Sequence, residues 1–217
     1  MIMIIEVLIS DKKHPVLTHL HDWVIKNKLL GNAVSIKYNS NDLTGGDFLF
    51  LVSCSEIVSE KIIKKFKYSF VLHASDLPEG RGWSPHIWNI LEGKNTLTVC
   101  LLSPSPNVDR GDIWLKKQIS FEGHELVDEI NNKLFKAELE LMLQILNIVE
   151  DLSPSIQKEN QSNYYPKRTP EDSRLDLNKT LKEQFNLLRI ADKDRYPAFF
   201  EYMGHKYFVT IQKDENE

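Results

Sequence analysis

Four short apolar runs, residues 4–9, 48–52, 70–72 and 96–102, each give way at once to a polar stretch rich in Ser, Pro, Gly or Asp, and this pattern limits the chain more than any other feature. Runs of this length are too short for packed helices. Apolar on both sides, they belong to strands of a mostly parallel sheet that is covered on each face. Residues 11–15 break the first run, and Leu17, Leu20 and Val24 then recur at helical spacing, which makes a βα unit. Residues 34–38 alternate as a further strand, and 39–46 form a turn-rich loop. The expected class is α/β: a Rossmann-like domain with a mostly parallel sheet. Its first βα turn carries no G-x-G-x-x-G, which excludes a dinucleotide-binding dehydrogenase.

His73 closes the third run. Behind it Pro78, Gly80 and Gly82 forbid a helix; Ser84 is a good N-cap, Pro85 suits the first helical position, and Gly93 stops a short helix. Strand, polar loop and helix follow in order. In open α/β sheets ligands bind beyond the carboxyl ends of strands, so His73 marks a candidate site, although a lone His is more often structural. A second polar loop, residues 103–113, follows the strand at 96–102, and it holds Asp109, 36 residues after His73.

Together these loops resemble the folate-dependent formyltransferase family, whose signature is a His opening an S-x-L-P-x-x-R-G loop and an Asp in a D-x-G-x-I turn at this separation. His73, Ser75, Leu77, Pro78, Arg81 and Gly82 match the first part; Asp109, Gly111 and Ile113 match the second. The resemblance implies that a neutral amine attacks the formyl carbon of 10-formyltetrahydrofolate. His73 would donate to the developing oxyanion or relay a proton, and Asp109 would pair with it. It also implies that Ser53, Cys54, Ser55, Glu56 and Ile57 read the pterin ring through their backbone, while Ser105, Pro106 and Asp109 close the pocket from the other side. Read without the resemblance, 53–58 only caps a helix carrying Ile57, Ile62, Ile63 and Phe66. Ser75, Asp76, Arg81 and Trp83 fall to the acceptor. One position departs from the family, which has an Asn two residues before the His; Val71 stands there and cannot donate a hydrogen bond. Asn107 is expected to supply the missing donor and to act with His73 and Asp109; a backbone amide or Ser75 are the alternatives.

The remainder divides into a strand at 112–121, a long helix and an extension. Leu126, Ile130, Leu134, Ala137, Leu141, Ile145 and Ile148 repeat at steps of 3 and 4, one apolar stripe read as core packing. Residues 153–163 read as a linker or an ordered crossing, which divides the chain into a catalytic domain, 1–152, and an extension, 153–217, packed on it. In the extension, Tyr164-Tyr165-Pro166-Lys167-Arg168-Thr169-Pro170 is followed by a Thr180–Glu183 capping box, a helix burying Leu181, Phe185 and Leu188, and a hairpin turning at Met203-Gly204-His205. This ending resembles the nucleotide-sugar branch of the family. By that resemblance Tyr164 or Tyr165 stacks on a base and Lys167 or Arg168 meets a diphosphate, against the plain reading of a surface ion-pair cluster. The acceptor so implied is a UDP- or dTDP-linked 4-amino-4,6-dideoxyhexose, as in pathways to pseudaminic-type acids.

Charge separates the rival substrates. The net charge is −4, and residues 160–217 hold ten Lys and Arg against ten Asp and Glu, so broad attraction to a nucleic-acid backbone is not expected. Cys54 and Cys100 sit in or beside apolar runs without metal-ligand spacing, so free thiols and no metal are expected. The apolar runs are far too short to span a bilayer, which makes a cytoplasmic protein the expectation. A homodimer is left open. Two other classes use the same residues: a hydrolase that deformylates 10-formyltetrahydrofolate, and a relative that binds folate and nucleotide sugar without turnover.

Overall fold

A computed structural model describes residues 2–158 and 163–214. In chain order its elements are β1 (Ile4–Leu8), α1 (Val16–Leu29), β2 (Ala33–Lys37), β3 (Gly46–Leu51), α2 (Glu60–Ile63), β4 (Phe66–His73), β5 (Arg81–Gly82), α3 (Pro85–Leu91), β6 (Thr96–Leu102), β7 (Ile113–Ser120), α4 (Val127–Ile148), β8 (Tyr164–Tyr165), α5 (Phe185–Arg189), β9 (Ala198–Tyr202) and β10 (His205–Val209). The main sheet has the order β2-β1-β3-β4-β6-β7. Its first four strands run parallel, β6 is antiparallel to β4, and β7 is antiparallel to β6.

The period of two along each strand divides the core between the sheet's faces. Val7, Phe48, Phe50, Phe70 and Leu72 pack with α1, α3 and α4 on one side. Leu8, Leu49 and Leu51 meet Leu43, Ile62 and Ile63 on the other. The apolar stripe of α4 buries Ile130, Leu134, Ala137, Leu141 and Ile145 as the spacing predicts, but it also buries Glu138.

Several expectations are corrected. The helix after β3 is only the four residues of α2, and Phe66 opens β4 instead of closing that helix. Ser84 does stand before α3, yet its φ of 46° is left-handed and its hydroxyl makes no cap hydrogen bond. The Thr180–Glu183 box forms, with the Thr180 N–H and hydroxyl both donating to Glu183, but regular helix begins only at Phe185 and Leu181 stays exposed. Of the segment 153–163, residues 159–162 lie outside the described residues. What precedes them is an ordered crossing: Ser155 pairs with Ile113, and Gln157 is buried. The hairpin turns at Met203-Gly204, both at positive φ, the conformation that matches strand twist.

Hydrogen bonds tie residues 163–165 to the loop that follows His73. β8 pairs in parallel with β5, Gly80 N–H donates to Asn163 Oδ1 at 2.6 Å, and Trp83 N–H donates to the Tyr165 carbonyl at 3.0 Å.

Candidate active site

His73 is the last residue of β4 and Asp109 lies in the loop after β6; the two side chains meet. His73 Nδ1 is 3.4 Å from Asp109 Oδ1, and both side chains are about nine-tenths buried. His73 Nε2 lies 2.9 Å from the Gly80 carbonyl. A carbonyl only accepts, so the Nε2 proton is fixed by Gly80, and Asp109 takes Nδ1 whenever that nitrogen is also protonated. Asp109 is itself clamped: its φ is 55°, its Oδ2 accepts from Gly82 N–H at 2.9 Å, and its carbonyl accepts from Arg81 Nε at 3.3 Å and Gln157 Nε2 at 2.8 Å. Gly111 makes the turn possible, since a Cβ there would fall on the Ser103 carbonyl.

A cleft of about 570 Å³ opens beside the pair at the ends of β3, β4 and β6, within the usual size for a small-molecule site. Val71 and His73, two residues apart on β4, both line it. Ser53, Cys54, Ser55, Glu56 and Ile57 line one wall, together with Ser105, Val108 and Asp109. Within that wall Glu56 and Cys54 are occupied internally. Glu56 accepts from Ser40 N–H and Oγ, the Cys54 thiol donates to the Glu56 carbonyl, and burial pushes that thiol up from its ordinary value. Ile57 is 71% exposed, and Ser53 stands at a φ of 46°.

Trp83, Tyr164, Lys167 and Arg168 line the opposite side, where Lys167 Nζ sits 5.1 Å over the Trp83 ring. Arg168 is buried, not part of a surface cluster. Its Nη2 donates to Ser173 Oγ at 2.9 Å and its guanidinium lies 4.7 Å over the Tyr196 ring.

Other expected site residues stand elsewhere. Tyr165 is buried, stacked on Trp88 with its hydroxyl donating to Glu92 at 2.8 Å, so it cannot stack on a base. Arg81 is also buried and braces the Asp109 loop, with Nη2 donating to Gln157 Oε1 at 2.8 Å. Ser75 is almost wholly buried, under the Gly80 turn, and exposed Asp76 pairs with Lys116 at 2.6 Å; neither lines the cleft. Pro106 and Asn107 are exposed in the turn before Asp109 and are not among the residues that line the cleft.

The sequence reading missed Gln157, whose polar surroundings carry no pattern, and three residues of the inner wall. His14, before α1, has its Nδ1 accepting from Val16 N–H, and burial and Arg195 lower it to about 4. Burial also lowers His86 to about 3, helped by His14, Arg168 and His73 nearby. Burial alone raises Glu138 to about 8. Glu138 stands beside Ala137 of the apolar stripe and is buried with it.

Residues 37–146, about half the chain, match the family described as Formyl transferase. The curated relatives, most of them methionyl-tRNA formyltransferases, are 26–30% identical, and the chain spans about a third to a half of their length. Among solved structures, a methionyl-tRNA formyltransferase from Clostridium thermocellum superposes with a TM-score of 0.81 at 21% identity, covering 99% of this chain and 95% of that one. HypX from Aquifex aeolicus in complex with tetrahydrofolic acid gives 0.80 at 20%, covering 96% and 37%. A 4-N formyltransferase from Francisella tularensis gives 0.71 at 18%, covering 98% of each chain. At these identities the structures show a shared fold, and it is the match over residues 37–146 that places the chain in the formyl transferase family.

Proposed function

We propose that this protein is a sugar N-formyltransferase that moves the formyl group of 10-formyltetrahydrofolate to the amine of a nucleotide-linked amino sugar, a UDP- or dTDP-linked 4-amino-4,6-dideoxyhexose. One observation carries the reading: β5, at the end of the His73 loop, is hydrogen-bonded to β8, so the Tyr164–Arg168 segment borders the same cleft as His73 and Asp109. The wall at Ser53–Ile57 and Ser105–Asp109 takes the flat pterin; Tyr164, Lys167 and Arg168 take the nucleotide and diphosphate.

The acceptor amine attacks the formyl carbon, forming a C–N bond and placing negative charge on the former carbonyl oxygen. Val71 cannot donate to that oxygen and Asn107 lies outside the cleft. His73 lines the cleft and serves here, its Nε2–H leaving the Gly80 carbonyl for the oxyanion, with Asp109 holding the ring. The proton lost by the new ammonium passes to the departing folate nitrogen as the old C–N bond breaks, so donor and acceptor exchange one formyl group for one proton.

The test is mass spectrometry of acceptors after incubation with 10-formyltetrahydrofolate: UDP- and dTDP-linked amino sugars, methionyl-tRNA, and buffer alone. Gain of one formyl group on an amino sugar is expected. Formylation of methionyl-tRNA alone, or release of formate without an acceptor, would replace the reading with a tRNA transferase or a hydrolase. Binding without turnover would make the protein a non-catalytic relative.

A further inference from the structure

Asp109 meets His73 through its carboxylate, while its backbone is held from behind. Its φ of 55° is a conformation that a residue with a side chain keeps only where its surroundings enforce it. Gln157 supplies that enforcement together with Arg81. Gln157 Nε2 donates to the Asp109 carbonyl at 2.8 Å and to the Gly111 carbonyl at 2.7 Å, and its Oε1 accepts from Arg81 Nη2 at 2.8 Å. Arg81 Nε reaches the same Asp109 carbonyl at 3.3 Å.

The position asks for a primary amide. Two carbonyl oxygens that converge on one nitrogen need a donor for each, and Arg81 needs an acceptor on the same head. A carboxylate cannot donate, an ammonium or guanidinium cannot accept, and Asn carries the amide on a stem one carbon shorter. The chain also delivers the residue firmly. Ser155 and Ile113 exchange two backbone hydrogen bonds, of 2.9 and 2.8 Å. Ile156 is 82% exposed and Gln157 only 9%, so side chains alternate as in a strand and Gln157 turns inward. Asp109 is thus fixed at both ends, by Gln157 on its carbonyl and by Gly82 N–H on Oδ2 at 2.9 Å.

We infer that Gln157 is a positioning residue for formyl transfer. It does not line the cleft; through the Asp109 carbonyl it places the carboxylate whose Oδ1 lies 3.4 Å from His73 Nδ1. The inference rests on the reading of His73 and Asp109 as the reacting pair, and it holds whichever amine receives the formyl group.

The experiment compares wild type with Gln157→Leu and with Gln157→Glu, which keeps the acceptor for Arg81 and removes both N–H donors. Kinetics with 10-formyltetrahydrofolate and a UDP-linked 4-amino-4,6-dideoxyhexose should show kcat lowered by about 10 to 10²-fold and both KM values within about 3-fold, because a misplaced group costs rate and not binding. In an Asp109→Gly background the left-handed turn is tolerated and no carboxylate remains to be placed. There Gln157→Leu should change kcat by less than about 2-fold. A second readout needs no turnover: amide hydrogen exchange followed by NMR. Gly82 N–H, which donates to Asp109 Oδ2, should exchange about 10-fold faster or more in both variants, while Phe50 N–H in the middle of the sheet keeps its wild-type rate. If Gln157→Leu does not fold, Gln157→Glu carries both readouts. Full kcat in the folded variants, a raised KM with kcat intact, an equal loss in the Asp109→Gly background, or unchanged Gly82 exchange overturns the inference. No transfer by the wild type, or an undiminished rate in His73→Asn, overturns the functional reading instead, and Gly82 exchange then decides by itself whether Gln157 places Asp109.

Discussion

The two walls of the cleft are built differently. At Ser53–Ile57 and Ser105–Asp109 several groups are spent on holding loops: Glu56 on Ser40, Cys54 on the Glu56 carbonyl, and the Asp109 carbonyl on Arg81 and Gln157. On the other side Trp83, Tyr164, Lys167 and Arg168 bring side chains to the lining, with Lys167 over the Trp83 ring. One wall suits an invariant ligand with a flat edge, read by main chain. The other suits an acceptor that differs between family members, because side chains change by substitution while backbone positions do not. Mutations should therefore act on different quantities according to the wall they touch.

The largest effect is expected where the walls meet. His73→Asn should lower kcat by about 10² to 10⁴-fold with the melting temperature and both KM values little changed. A retained rate would place the chemistry elsewhere. Tyr164→Ala should raise the acceptor KM about 10-fold or more through lost stacking and leave the folate KM alone, a split that steady-state kinetics with each substrate varied will read.

Glu138 separates the walls by pH. Its folded value, about 8, is raised above that of an exposed glutamate, so the folded state retains the proton longer than the unfolded chain does. Stability from this group is full below about pH 4.5 and is lost as pH rises toward 8. Glu138→Gln should consequently stabilise the protein by about 2 kcal/mol or more at pH 8, and the gain should vanish near pH 4.5, as denaturant melts at the two pH values will show.

The smallest effects belong to side chains on the backbone-built wall. Ile57→Ala and Asn107→Ala should each change kcat and folate KM by less than about 3-fold, because Ile57 is mostly exposed and Asn107 lies outside the cleft. A 10²-fold loss in Asn107→Ala would return it to the oxyanion.

How far the sequence reveals this molecule depends on whether a residue's role is local. The strands, α4 and the hairpin were legible because periods of 2 and 3.6 and a Met-Gly turn are local signals. The meeting of His73 and Asp109 was legible from paired loops at a matched spacing. Tyr165 was not, since an aromatic ring that faces Trp88 and one that faces a ligand read alike in sequence. Gln157 was not either; its bonds to Asp109 and Gly111 arise only when a featureless polar segment crosses behind the loop. Arg81 belongs to the matched motif, yet its place is behind the active loop. Glu138 was not legible, since it stands beside Ala137 of the stripe and a glutamate there reads like the solvated positions of the helix.

The most direct test of the two-wall account is calorimetric binding of a UDP-linked 4-amino-4,6-dideoxyhexose and, separately, of non-reactive 5-formyltetrahydrofolate to wild type and Arg168→Ala. The guanidinium is buried on the acceptor side, so its loss should weaken the sugar nucleotide about 10-fold or more and leave folate affinity unchanged. Equal weakening of both ligands, or full retention of sugar affinity, would contradict the division of the cleft.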